Sequence, residues 1–292
     1  MSIACQDYEV SRLRFFDTFD QEDLDPRAEL LFVVDDSKSM LEEQEQLAAN
    51  FDAFVAALTE TDGDFQIGVV TTDVSQTELL GGLMTSGDAD LSGALTDALA
   101  VGADGHREEQ GLEAARQAAQ ASDDFPRAGA RFNVMVFSDE DDQSPDAVGD
   151  YYEDLLDTTD GGTFQLHAIV GDLPAGCASG TTAANAGERY LELAEGTGGF
   201  IESICAASYD EILERIGLHL RGLTDTFYLS DIADPETLLV KIDGEEIDEG
   251  EEHGWTYDVG DNAVVFHGDA VPPAGSLVDV QYNVLLGASD EE

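Results

Sequence analysis

Two different hydrophobic periods run along this chain, and one gives way to the other near residue 223. Upstream, short apolar runs take turns with amphipathic stretches. Leu30-Leu31-Phe32-Val33-Val34 is a near-continuous apolar run, as expected of a strand buried on both faces. A helix follows with Leu47, Phe51, Phe54, Val55 and Leu58 on one stripe. Phe65 to Val70, Phe132 to Phe137 and Phe164 to Val170 read as further buried strands, with a weaker edge segment at Leu79 to Met84 and a short last strand at Phe200-Ile201. Helices are expected at Leu91 to Ala100, from about Glu108 (Leu112, Ala115, Ala119), at Val148 to Leu155 (with Tyr151 and Tyr152), and at Ala184 to Glu195. A closing helix carries Tyr209, Ile212, Leu213, Ile216 and Leu220. Strands alternating with helices predict an α/β domain over 28–222, a doubly wound, mostly parallel sheet with helices on both faces. Such sheets bind ligands beyond the carboxyl ends of their strands.

Downstream the period is two. Val240 and Ile242 alternate with Lys241 and Asp243, and Val278, Val280, Tyr282 and Val284 alternate with polar residues. Asp243-Gly244, Gly260-Asp261-Asn262 and Pro272-Pro273 supply turns. Residues 223–292 therefore read as a small all-β domain of sandwich type, with Glu245 to Glu252 as a solvated acidic loop. Residues 1–27 show no sustained period and read as an acidic lead-in or tether.

Charge narrows the possible partners. The 292 residues carry 12 Lys+Arg against 64 Asp+Glu, a net charge of −52, which repels nucleic acid and anionic membrane surfaces. With 42% hydrophobic residues the chain still has a core to bury, so the charge does not mean disorder. Only Lys38 and Lys241 are lysines. An acidic, lysine-poor surface suits a saline setting, where screening makes self-repulsion tolerable. No apolar run approaches the roughly 20 residues of a membrane span.

The chemistry concentrates at two strand ends. Asp35, Ser37 and Ser39 put a carboxylate and two hydroxyls just past the first buried strand, and these are hard oxygen donors suited to Mg²⁺, Mn²⁺ or Ca²⁺. The plainer reading is that Ser37 or Ser39 caps the following helix. A second acidic run, Ser138-Asp139-Glu140-Asp141-Asp142, ends the strand at Phe132 to Phe137. If the two strands are neighbours, Asp139 faces the Asp35 loop, and two carboxylates facing each other repel without a cation.

Asp35-x-Ser37-x-Ser39 after an apolar strand, followed by a strand ending at Asp139, resembles the metal-ion-dependent adhesion site of von Willebrand factor type A domains. The resemblance covers about residues 28–222, and the segments at Gly68 to Asp73 and Phe137 to Asp142 are similar to bacterial exported members. It implies that Ser37 and Ser39 ligate a divalent cation, most simply Mg²⁺, that Asp35 and Asp139 hold it directly or through water, and that an open position takes a carboxylate from a protein partner. Two departures stand out. Lys38 occupies the place of the usual glycine, and the loop Gly102 to Gly111 lacks the metal-ligating threonine. Glu109 is the expected substitute, with Glu108, Asp104 or His106 as alternatives. The resemblance also implies a Cys177–Cys205 disulfide, hence an oxidising compartment. Cys5 is left over; Ile3-Ala4-Cys5 partly resembles a lipoprotein cleavage box, which would make Cys5 a lipidated terminus, against the alternative of an unpaired thiol.

Asp88-x-Asp90-x-Ser92-Gly93 resembles the start of a calcium loop but has Leu99 where a bidentate Glu is needed, so it reads as a polar turn. His167, within an apolar strand, reads as a satisfied buried histidine. No nucleophile motif, Walker loop or dinucleotide fingerprint occurs, and no enzyme is expected. The expected function is thus a metal-dependent adhesion or protein-interaction module, exported to the cell surface, periplasm or outer membrane or secreted, in a saline-environment bacterium. The alternatives are a scaffold with a structural metal, and a metal-assisted hydrolase using Asp35, Asp139 and Glu108 or Glu109.

Overall fold

From Ala28 to Val34 every residue is buried, and the run divides its side chains between two cores. Leu30, Phe32 and Val34 face one, Leu31 and Val33 the other, as the period of a strand dictates. The computed structural model describes residues 14–21, 27–59, 63–76, 78–103, 105, 108–122, 124–179, 182–209, 212–213, 215–217, 223–251 and 253–284. Cys5, Asp104, His106 and Leu220 lie outside the described residues, as does the side chain of Phe51. In chain order the elements are β1 (Arg14–Asp20), β2 (Arg27–Val34), α1 (Leu41–Thr59), β3 (Asp64–Thr71), β4 (Met84–Thr85), α2 (Leu91–Leu99), α3 (Gly111–Gln120), β5 (Arg131–Ser138), α4 (Val148–Thr158), β6 (Thr163–Val170), β7 (Cys177–Ser179), β8 (Thr182–Ala184), α5 (Glu188–Thr197) and β9 (Ile201–Ser203). The strands β10 (Thr226–Tyr228), β11 (Leu239–Ile242), β12 (Glu245–Glu246), β13 (Gly254–Asp258), β14 (Ala263–His267) and β15 (Leu277–Asn283) follow.

Residues 25–221 form one unit. Its six-stranded sheet has the order β4-β3-β2-β5-β6-β9, parallel except for β4. Buried residues of α1 and α2, with Tyr209, Ile212, Leu213 and Ile216, cover one face, and those of α3, α4 and α5 cover the other. This is the expected doubly wound α/β sheet. The chain leaves β2 toward β3 on one side and returns to β5 on the other, so the end of β2 is the topological switch point. His167 is buried as expected, its Nδ1 accepting from the Phe200 amide (3.0 Å) and its Nε2 lying 3.2 Å from Asn133 Oδ1.

Several boundaries differ from the sequence reading. The edge strand lies at Met84–Thr85, antiparallel to β3, rather than beginning at Leu79. The helix expected from Ala184 begins at Glu188, because Cys177–Ser179 and Thr182–Ala184 pair as a hairpin. That hairpin is tied to the segment after β9 by the Cys177–Cys205 disulfide. Among the described residues no helix is long and apolar enough to cross a membrane.

Residues 1–24 and 222–292 form the second unit. One sheet has the order β1-β15-β11-β12 and the other β10-β14-β13, enclosing a core of Phe227, Trp255, Phe266, Val240, Val278, Val280 and Tyr282. Two expectations are corrected here. Arg14–Asp20 lies in the stretch read as a lead-in, yet it pairs along its whole length with β15 and packs Phe15 and Phe19 onto this core. Its alternation of inward and outward residues is that of a half-buried strand, and the polar Asp17 on the inward face hides the pattern. Glu245–Glu246, read as loop, pairs with β11 across the Asp243-Gly244 turn, although both glutamates stay exposed.

Two measurements follow from this fold. Glu29 is fully buried in β2 and takes a hydrogen bond from Arg127, which also reaches Asp64. Burial raises its carboxyl to about 7 despite the arginine. A raised carboxyl favours the protonated folded state, so its contribution is complete below about pH 4.5 and is lost as the pH rises through about 7. Glu29→Gln should flatten the fall in melting temperature between pH 5 and 8, removing a pH-dependent contribution of up to about 3 kcal/mol. Replacing Cys177 and Cys205 together by serine should cost roughly 3–4 kcal/mol in a denaturant titration, the chain-entropy value for a loop of this length.

Candidate metal centre at the switch point

The parallel register carries on past the ends of the strands. Val34 stands opposite Thr71 on β3 and Phe137 on β5, so Asp35 falls level with Thr72 and Ser138. Backbone hydrogen bonds continue the ladder, Asp35 N to Phe137 O at 2.9 Å and Thr72 N to Val34 O at 3.3 Å. Strand pairing alone therefore brings the Asp35 and Asp139 loops together.

Asp35 is completely buried and fully engaged. Its Oδ1 accepts from the Ser37 amide (2.8 Å) and its Oδ2 from the Ser138 hydroxyl (2.6 Å). Gln44 Nε2 donates to the Asp35 carbonyl and to that of Gly102, both at 2.9 Å, fixing the loop from α1. Ser37 occupies the N-cap position of the short turn Lys38–Met40, yet its hydroxyl caps nothing. It lies 3.0 Å from the Ser39 hydroxyl instead, so Ser37 is not a cap and the two oxygens form a pair at the surface.

Asp139 is 4% exposed, and its Oδ1 has no hydrogen-bond partner. Burial pushes its carboxyl up to about 6; a hydrogen bond from Ser39 pulls the other way, while Asp35, Glu43 and Glu140 add to the rise. Glu43, on the first turn of α1, is also buried and leaves Oε2 unpartnered.

Glu109 is 1% exposed and accepts a short hydrogen bond from Thr72. Burial raises it to about 8, reinforced by Asp35, against the Thr72 hydrogen bond. Its carbonyl accepts from Gln143 N (2.7 Å), which ties the Glu109 loop to the segment after Asp139. Asp36 is buried with Oδ1 unpartnered and is raised chiefly by burial. Glu108, the other carboxylate considered on this loop, is exposed.

The remaining acids of the second run are structural. Asp142 caps α3 through the Leu112 amide (3.1 Å), accepts from Ser144 (2.7 Å) and pairs with Arg189 (2.9 Å). Asp141 accepts from the Arg189 amide.

Asp35, Ser37, Ser39, Glu109 and Asp139 thus gather at one edge. Sequence reading missed Ser138, Thr72, Asp36 and Glu43. Extending the strand register by one residue finds Thr72 and Ser138, whereas nothing in the apolar pattern marks the two carboxylates. Among the described residues no three His, Cys, Asp or Glu side chains are placed to hold a metal by themselves, so any cation here depends on the serine hydroxyls. The donor set fits a hard cation, since two paired hydroxyls adjoin a buried carboxylate with a free oxygen.

The sequence matches no protein-family model and no curated protein. Solved structures that resemble the chain include the following three. A von Willebrand factor type A protein from Catenulispora acidiphila is 13% identical over 94% of this chain and 66% of its own, with a TM-score of 0.47. The pilus adhesin SpaC from Lactobacillus rhamnosus GG is 11% identical over 96% of this chain and 42% of its own, also at 0.47. An aerotolerance-related membrane protein from Bacteroides fragilis is 13% identical over 66% of this chain and 98% of its own, at 0.43. The chain thus spans under two thirds of the length of the first two.

Asp139 and Asp142, three residues apart, should respond in opposite ways. Asp139→Asn removes a buried charge raised by its neighbours and should stabilise metal-free protein at pH 8 by on the order of 1 kcal/mol. Asp142→Ala removes the carboxylate partner of Arg189 and the cap on the Leu112 amide, and should destabilise by about 3 kcal/mol in the same thermal unfolding assay.

Proposed function

We propose that this chain is a cation-dependent protein-interaction module that takes a partner's carboxylate at the Ser37–Ser39–Asp139 edge. The supporting observation is the unpartnered Oδ1 of buried Asp139 beside the paired serine hydroxyls. Ser37, Ser39 and Asp139 would hold the cation, with Asp35 orienting Ser37 through its amide and Glu109, which a nearby cation would help to ionise, behind. Bound Mg²⁺, or Mn²⁺ or Ca²⁺ in its place, supplies a hard positive centre that attracts a carboxylate oxygen.

The protein's own groups do the positioning. Asp35 is locked by Ser138 and the Ser37 amide, so the serine loop is held in place before any cation arrives. Ser37 is partly exposed and Ser39 fully so, which leaves the site open outward. The disulfide supports an exported protein, and the acidic, lysine-poor surface supports a saline exterior. A lipid anchor at Cys5 belongs to the same reading.

Calorimetric titration of metal-free protein with MgCl₂ is the direct test, with MnCl₂ in parallel. Wild type should bind one cation, and Ser37→Ala should weaken binding at least about tenfold, the loss of roughly 1.4 kcal/mol expected for one direct ligand. An aspartate-containing peptide should bind the loaded protein and dissociate on adding EDTA. Peptide binding that survives EDTA would refute the reading.

A further inference from the structure

Among the described residues, the α/β unit commits nearly all its basic side chains internally. Arg116 is held by Glu113, Asp146 and Asp154, Arg127 by Glu29 and Asp64, and Arg189 by Asp142. Arg27 donates to the Ala128 carbonyl, Arg131 is buried, and Arg215 lies over the Phe200 ring at 4.9 Å. Lys38 differs. It is the unit's single lysine and is exposed, and among the described residues its side chain makes no ion pair or hydrogen bond.

Its position makes that notable. Lys38 lies between the two paired serines, and the turn that carries it is anchored from below by Asp35. At this edge Asp35 is within electrostatic reach of Asp36, Glu109 and Asp139, Glu140 is within reach of Glu109 and Asp139, and Glu43 is within reach of Asp139. An ammonium on so acidic an edge would ordinarily fold back onto a carboxylate. Asp35, Asp36, Glu43, Glu109 and Asp139 are instead buried and Glu140 is half-buried, while Lys38 is exposed. Just beyond it, Leu41 is 44% exposed. Among the described residues, the open side of the site therefore offers the two hydroxyls, the exposed Lys38 ammonium and the apolar side chain of Leu41.

We propose that Lys38 is a specificity-determining residue that takes a second carboxylate of the partner, next to the one facing the bound cation, so that the segment recognised carries two neighbouring acids. This rests on the cation-dependent reading above and names the partner's chemistry at that same site. Charge complementarity argues for it. At net charge −52 the protein repels any acidic partner at long range, and in salt that repulsion decays within about 8 Å. What remains at contact is the local pair, and Lys38 is the residue placed to make it.

The test uses magnesium-loaded protein and two synthetic peptides of equal length, one with a single aspartate and one with two adjacent aspartates, titrated by NMR or calorimetry. Wild type should prefer the diacid about fivefold, the factor given by an exposed ion pair worth about 1 kcal/mol. Lys38→Ala should erase that preference while leaving monoacid affinity within about twofold and magnesium affinity no weaker. Lys38→Arg should retain the preference. Equal affinity of wild type for the two peptides, or an undiminished preference in Lys38→Ala, would overturn the inference while leaving the cation site standing. A failure of wild type to bind magnesium at all would overturn the cation reading and this inference together.

Discussion

Buried like charge at the end of β2 is the constraint on which the site depends. Asp35, Asp36, Glu43, Glu109 and Asp139 are each more than nine-tenths buried, and among the described residues none of them has a basic partner. Removing a carboxylate from water is costly unless hydrogen bonds or an opposite charge replace its hydration. Here the replacement is uneven. Asp35 receives an amide and a hydroxyl, and Glu109 receives Thr72, whereas Asp36, Glu43 and Asp139 each keep an oxygen unpartnered. Burial accordingly raises Asp139 to about 6 and Glu109 to about 8. A fold optimised for stability alone would place an arginine at such an edge, as it does around Asp142 with Arg189. The contrast between these two acids, three residues apart, separates a site kept electrostatically unsatisfied from one that is closed.

The fold was largely legible because its two cores impose simple periods. A strand buried on both faces must be apolar without a break, and Leu30 to Val34 shows that at once. The switch point followed from strand order, since it required only that the β2 and β5 strands be neighbours. What stayed hidden had specific causes. β1 carries Asp17 on its inward face, where it accepts from Ser230 and Tyr282 inside a polar network, so the strand loses the apolar alternation that would announce it. The β7–β8 hairpin is too short and too polar to show a period, and it is held by a disulfide and by the Asn185 amide donating to the Asp139 carbonyl. Ser138 and Thr72 were invisible for another reason: a lone hydroxyl after a strand means nothing until the register places it beside a carboxylate.

The overall charge and the local charge answer different physical questions. Among the described residues most acidic side chains lie at exposed positions, where screening and hydration make them cheap and where they keep the surface soluble in salt. The handful at the switch point are shielded from both water and salt, so their repulsion persists in conditions that silence the rest. A saline exterior would therefore quiet the coat without quieting the site. It also removes long-range steering, which leaves recognition to contacts within a few ångströms.

The chain's path changes what its N-terminal region does. Because β1 pairs with β15 and contributes Phe15 and Phe19 to the β core, the β unit draws on both ends of the sequence, and the α/β unit is inserted between them. The Phe15–Tyr282 and Phe19–Phe227 ring contacts, at 6.1 and 5.3 Å, join residues more than two hundred positions apart. Closing such contacts carries the loop-entropy cost of the intervening chain, and an already folded insertion shortens the effective distance to be closed.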